Sequence, residues 1–200
     1  LYALDDDMPG GWRMGAASRW WLHHSLSALG TSIALVLRRG PTDAAISDVL
    51  QESGATSVHF MRGHEPWSAA LEARVKAACE AHGAIAHRYS GFLLHEPETI
   101  KTGQGGPFKV YTPFARACFA LGDPRMVRRR PDFAPYTEHI AGDRLEDWGL
   151  TPSKPDWARG FAGRWQPGEA GAQARLQEFA DKKLRSYAAG RDVPSLDVTS

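Results

Sequence analysis

The sequence predicts an α/β protein built around a mainly parallel sheet. Short apolar runs recur at intervals of roughly 25–30 residues, and a helical pattern fills each interval, as right-handed βαβ units require. One run, Ile33-Ala34-Leu35-Val36-Leu37, is apolar without alternation. Such a run predicts a strand covered on both faces, the habit of a parallel sheet.

Each element has its own local reason. Tyr2-Ala3-Leu4 is apolar and then meets Asp5-Asp6-Asp7, a strand running into a polar loop. Ser18 is placed to cap a helix through Ala28, with Trp21, Leu22, Leu26 and Leu29 on one side and Gly30 as its stop. The strand at 33–37, closed by Arg38-Arg39-Gly40-Pro41, is expected at the centre of the sheet with residues 2–4 beside it. Thr42 or Asp43 starts a second helix that turns Ile46, Val49 and Leu50 inward and stops at Gly54. A strand at 57–61, a helix from Ser68 to His82 ended by Gly83, and a strand at 84–89 follow. A chain that opens inside a strand is expected to lack an earlier βα element.

Between Gly122 and Pro167 the pattern changes. Prolines at 124, 131, 135, 152, 155 and 167 forbid long regular elements. Trp148, Trp157 and Trp165 are too apolar for a free linker, so an ordered connector pinned to something larger is expected. A last helix is expected from Gly168-Glu169 to about Ala189, with Leu176, Phe179, Ala180, Leu184 and Tyr187 as its apolar stripe. That stripe finds little else in the chain to pack on. The expected organisation is an α/β domain over 1–120, a connector over 121–167 and the start of a helical domain over 168–200.

Composition bounds the function. Of 200 residues, 42% are hydrophobic and 24% charged, enough to bury a core. Cys79 and Cys118 exclude a disulfide framework and a cysteine-built zinc site, and they fit a reducing, cytoplasmic setting. No apolar run is long enough for a membrane span. Net charge is +1, but residues 1–100 carry 8 basic against 11 acidic side chains and residues 101–200 carry 16 against 12. The second half is compatible with a phosphate-bearing partner, although a solvated surface explains the charge as well.

Motifs of known chemistry are sparse. His23 and His24 are adjacent on a helix and lack the three- or four-residue spacing of metal ligands. The tripeptide His-Glu-Pro occurs at 64–66 and 95–97 in non-equivalent contexts. The stretch Lys101-Thr102-Gly103-Gln104-Gly105-Gly106-Pro107 fails the phosphate-loop pattern and is expected to be a turn. No nucleophile elbow or catalytic carboxylate pair is present, so no catalytic and no metal-ligating residue is assigned.

Three stretches carry a resemblance. Residues 12–26, Trp12-Arg13-Met14-Gly15 through Leu26, resemble the segment after the second strand of the DNA photolyase/cryptochrome family. Lys109-Val110-Tyr111-Thr112-Pro113-Phe114 resembles that family's K-V-[FY]-T-P-F signature. Residues 168–200 resemble the entry to its flavin domain, a G-E-x-x-A-x-x-R-L helix leading to Y-x-x-x-R-D-x-P-x-x-x-x-T-S, here Tyr187 to Ser200.

The resemblance, with bacterial class I-like repair members nearest, implies a Rossmann-like three-layer antenna domain, a connector and an all-α FAD domain. It implies an N-terminal fragment of a light-driven enzyme in which excited, reduced FAD gives an electron to a pyrimidine dimer flipped out of DNA. It implies that Tyr187, Thr199 and Ser200 contact the FAD diphosphate. Most of the flavin pocket, the relay tryptophans and the cleft for UV-damaged DNA would lie beyond Ser200, so the fragment is expected to be inactive and monomeric. Folate-antenna relatives carry Asn-Glu where Trp67-Ser68 stand here, which argues against folate and leaves a deazaflavin or an empty site. A cryptochrome-type photoreceptor and a nucleotide-binding α/β domain without flavin are the alternative functions.

Overall fold

The computed structural model describes residues 1–7, 10–123, 126, 128–129, 131–132, 134, 136 and 138–196. Two compact units emerge, one formed by residues 1–41 with 135–200, the other by residues 42–134.

In the first unit, β1 (Tyr2–Leu4) and β2 (Leu37–Arg39) pair in parallel, with Tyr2 opposite Leu37 and Leu4 opposite Arg39. Between them runs α1 (Ala16–Gly30). The expected strand at 33–37 is therefore displaced: β2 begins at Leu37, and of the rest of that run only the Val36 carbonyl reaches β1, accepting from the Tyr2 amide at 2.8 Å. The Ile33 amide is spent on the Leu29 carbonyl at 3.1 Å, closing α1, and β1 offers only three residues to pair with. The start of α1 also differs. Ser18 lies inside the helix, and Gly15 occupies the cap position with no side-chain hydrogen bond. At the other end Gly30 is the last helical residue, and Thr31 donates through both its amide and its hydroxyl to the Ala28 carbonyl.

The core of this unit joins Leu4, Leu26 and Leu37 to Trp148 and Leu150 from the proline-rich stretch. Trp148 ends a single 3-10 turn, Leu145–Trp148, which Gly149 terminates in the left-handed region at φ 59°. Trp148 is the buried one of the three tryptophans; Trp165, more exposed, meets the Trp21 ring of α1 with centroids 6.0 Å apart, and Trp157 meets Phe161, which packs on Trp20.

The second unit follows the sequence closely. α2 (Thr42–Ser53), β3 (Ser57–Met61), α3 (Ser68–Ala81) and β4 (Ile85–Tyr89) form where expected, and β3 pairs with β4 in parallel. Gly54 and Gly83, both at positive φ, end the two helices. Ile46, Leu50, Val75, Cys79 and Ala84 make the core, with Val58 and Phe60 packed against it. Cys79 is fully buried and its thiol is pushed up by that burial, so it packs as a small hydrophobe. On the other face of the strands Met61, Ile85 and Tyr89 are exposed. The helix α4 (Tyr111–Ala120) begins inside the K-V-[FY]-T-P-F match, with Pro113 tolerated in its first turn. Among the described residues no helix is long and apolar enough to cross a membrane.

Candidate functional site

The last helical segment holds the one candidate contact that the described residues include. It begins at Gly168, whose φ of 98° suits a residue without Cβ. α5 (Glu169–Glu178) then passes so close to the preceding loop that a Cβ on Gly171 would lie 1.9 Å from the Gln166 carbonyl oxygen. The expected helix to Ala189 is helical throughout, but it is not a regular α-helix. A π-helical turn covers Phe179–Lys183, closed by the Leu184 amide donating to the Phe179 carbonyl. A 3-10 turn (Leu184–Ser186) and the short α6 (Tyr187–Gly190) follow.

The interruption has a packing consequence. In an uninterrupted helix Phe179 and Tyr187 would stand about 12 Å apart along the axis. Here their rings meet edge to face with centroids 5.5 Å apart. Tyr187 is half-buried, and its hydroxyl has no hydrogen-bond partner among the described residues. The Arg191 guanidinium lies 5.9 Å from the centre of the same ring. Lys183, one turn earlier, keeps 11% of its side chain exposed and pairs with Glu178 at 3.9 Å. A phenolic hydroxyl without a partner among the described residues, with the Arg191 guanidinium near its ring, is chemistry that suits a phosphate oxygen. Thr199 and Ser200, the other two expected contacts, lie outside the described residues. That Phe179 and Arg191 would meet the Tyr187 ring was not legible from their stripe and turn positions alone.

Two charged clusters do structural work. At the end of β1, Asp6 accepts hydrogen bonds from Arg19 and, at 2.8 and 3.1 Å, from Arg39. Burial alone would raise the Asp6 carboxyl, but the Arg39 and Arg19 contacts outweigh it and hold it below its ordinary range. Arg39 also donates to the Trp148 carbonyl at 3.2 Å, and the Trp148 indole donates to Asp143 at 2.9 Å. In the second unit Arg62 pairs with Glu98 at 2.7 Å and Glu96 at 3.4 Å; its hydrogen bond pushes the Glu98 carboxyl down to about 2. The two His-Glu-Pro tripeptides play different parts: Glu65 accepts from Ser68 at the start of α3, whereas Glu96 faces Arg62. Residues 102–106 form the expected turn, with the Thr102 amide donating to the Gly106 carbonyl at 2.8 Å and Gly105 at φ 81°.

His23 and His24 do not converge on a common point. Their rings meet at 89°, and His24 packs 4.4 Å from Trp20. Burial, and then the neighbouring His23 charge, lower the His24 pKa below its ordinary 6.5. A histidine depressed in the folded state binds fewer protons than the unfolded chain, so its stabilisation is present above 6.5 and is lost as pH falls through the folded pKa. Urea midpoints followed from about pH 7.5 down to about pH 5 should therefore fall, and His24→Gln should flatten that slope. Equal slopes in the two proteins would assign the effect to another group.

Comparison with known proteins bears on the same segments. The sequence model of the DNA photolyase family matches residues 1–132. A deoxyribodipyrimidine photo-lyase of Agrobacterium fabrum (strain C58 / ATCC 33970) is 39% identical over 198 residues, 94% of this chain and 40% of that protein. Cryptochrome-2 of Arabidopsis thaliana is 31% identical over 186 residues, 87% of this chain and 30% of its own length. The crystal structure of a bacterial class III photolyase from Agrobacterium tumefaciens superposes with a TM-score of 0.79 at 36% identity, over 99% of this chain and 42% of that one. The chain thus spans about two fifths of the length of these photolyases.

Proposed function

We propose, because the chain belongs to the DNA photolyase family, that the whole protein is a deoxyribodipyrimidine photo-lyase acting on cyclobutane pyrimidine dimers in UV-damaged DNA. The observation that carries this reading is the higher identity to the Agrobacterium photolyase, 39% over 198 residues, than to the Arabidopsis cryptochrome, 31% over 186. In this reading residues 1–120 are the antenna-type domain, 121–167 the connector and 168–200 the entry to the FAD domain. Bound FAD, reduced and excited by light, supplies the electron that reopens the dimer. The task of this chain is narrower: Tyr187, with Thr199 and Ser200, holds the diphosphate by neutral donors. The protein acts as a cytoplasmic monomer, with DNA engaged by residues beyond this chain.

An antenna chromophore belongs to the same reading. Positions 67–68 are Trp and Ser and so carry no carboxylate for a pterin, and the buried Ser68 hydroxyl is already taken by Glu65 at 2.8 Å. A deazaflavin or an empty site fits these residues better, and chromophore extraction from the whole protein identifies the occupant. The decisive experiment illuminates a dimer-containing oligonucleotide with blue light. The flavin-loaded whole protein should remove dimers in light and not in darkness, and residues 1–200 alone should remove none. A loaded whole protein that absorbs light yet leaves every dimer intact would favour the cryptochrome alternative, which the 31% identity to Cryptochrome-2 keeps in view.

A further inference from the structure

Arg191 stands four residues after Tyr187, and its amide donates to the Tyr187 carbonyl at 2.9 Å. The same residue therefore closes the last helical turn and lays a cation over the phenol ring, 5.9 Å from its centre. Phe179 meets that ring edge to face. The ring is held by an aromatic neighbour and a cation, while its hydroxyl stays without a partner among the described residues. Both contacts are electrostatic: a cation favours the negative face of an aromatic ring, and an edge-to-face pair sets positive edge against negative face. A ring fixed in this way has surrendered rotamer freedom before any ligand arrives, which lowers the ordering cost of binding.

We propose that Arg191 is a positioning residue for Tyr187, orienting the phenol so that its hydroxyl meets an anionic diphosphate already aimed. The inference rests on the reading of Tyr187 as a diphosphate contact. Asp192 argues that the arginine acts through the ring rather than on the phosphate itself. Its carboxylate lies 3.8 Å from the guanidinium and offsets part of the charge that a direct phosphate contact would use. An arginine serving only the helix end, where a cation meets the partial negative charge of the last carbonyls, would alter melting and leave ligand affinity alone.

Titration of FAD into the apo form of the whole protein separates these roles. Arg191→Met keeps much of the aliphatic stem and removes the cation, so the dissociation constant should rise about 2- to 5-fold. Arg191→Lys restores the cation and should recover most of that loss. In a Tyr187→Phe background the effect of Arg191→Met should nearly vanish, because the hydroxyl that it orients is gone. Four outcomes would overturn the proposal. Wild-type affinity in Arg191→Met alongside weakened Tyr187→Phe removes Arg191 and leaves Tyr187 in place. An undiminished Arg191→Met effect in the Tyr187→Phe background shows that the arginine reaches the ligand directly. A lower apo melting temperature with unchanged affinity assigns Arg191 to the helix end. Unchanged affinity in Tyr187→Phe itself removes the diphosphate contact on which the proposal stands.

Discussion

Replacing Tyr187 with Phe in the whole protein is expected to weaken FAD retention by about 10- to 150-fold, the equivalent of losing a hydrogen bond to a charged acceptor worth ~1.5–3 kcal/mol. The size follows from what the substitution leaves behind. Phe keeps the ring that packs edge to face on Phe179 and lies near Arg191, so the local packing survives. The hydroxyl has no partner among the described residues, so its loss orphans no group within them. The apo protein should therefore melt at an unchanged temperature. Equal dissociation constants for the two proteins would make Tyr187 a packing residue and nothing more.

Trp148→Ala is expected to destabilise the first unit by ~3–5 kcal/mol, the range for deleting a large buried aromatic. That is a large fraction of the ~5–15 kcal/mol by which domains are stable. Trp148 is 4% exposed, packs with Leu4, Leu26, Leu37 and Leu150, and stands 6.2 Å from the Tyr2 ring. Its indole N–H also donates to Asp143, which is exposed, so water takes over that bond in the alanine variant and the cost is that of lost packing. Urea unfolding followed by a probe in residues 1–41 measures the loss. Amide exchange in β3 and β4 should be little changed, because the core of Ile46, Leu50, Val75 and Cys79 does not include Trp148. A loss below ~1 kcal/mol would mean that the site collapses around the missing side chain.

Features whose causes are local could be read from the residues alone. The period of Ile46, Val49 and Leu50 specified α2, and Gly54 and Gly83 marked helix ends because only glycine sits at positive φ without strain. The strands at Ser57–Met61 and Ile85–Tyr89 were readable from apolar runs between those stops, and the turn at 102–106 from its glycines. For the candidate site, the stripe of the last helix placed Tyr187 on it, and the likeness to a known pattern gave the residue a role.

Features that depend on a partner distant in sequence, or on a break in regularity, emerge only in the folded chain. An apolar run at 33–37 does not say which of its residues will find a ladder; the three residues of β1 decided that Leu37 would. Composition made Trp148, Trp157 and Trp165 equivalent, and the pocket formed by Leu4, Leu26 and Leu37 chose Trp148. Asp6 gained its two arginines from positions 13 and 33 residues away. The π turn at Phe179–Lys183 is invisible to a 3.6-residue period, yet it brings the Phe179 ring onto Tyr187. Local propensity fixes where a helix or turn can begin. The pairing of groups far apart in the chain fixes which side chains meet, because that free energy exists only once the chain has closed on itself.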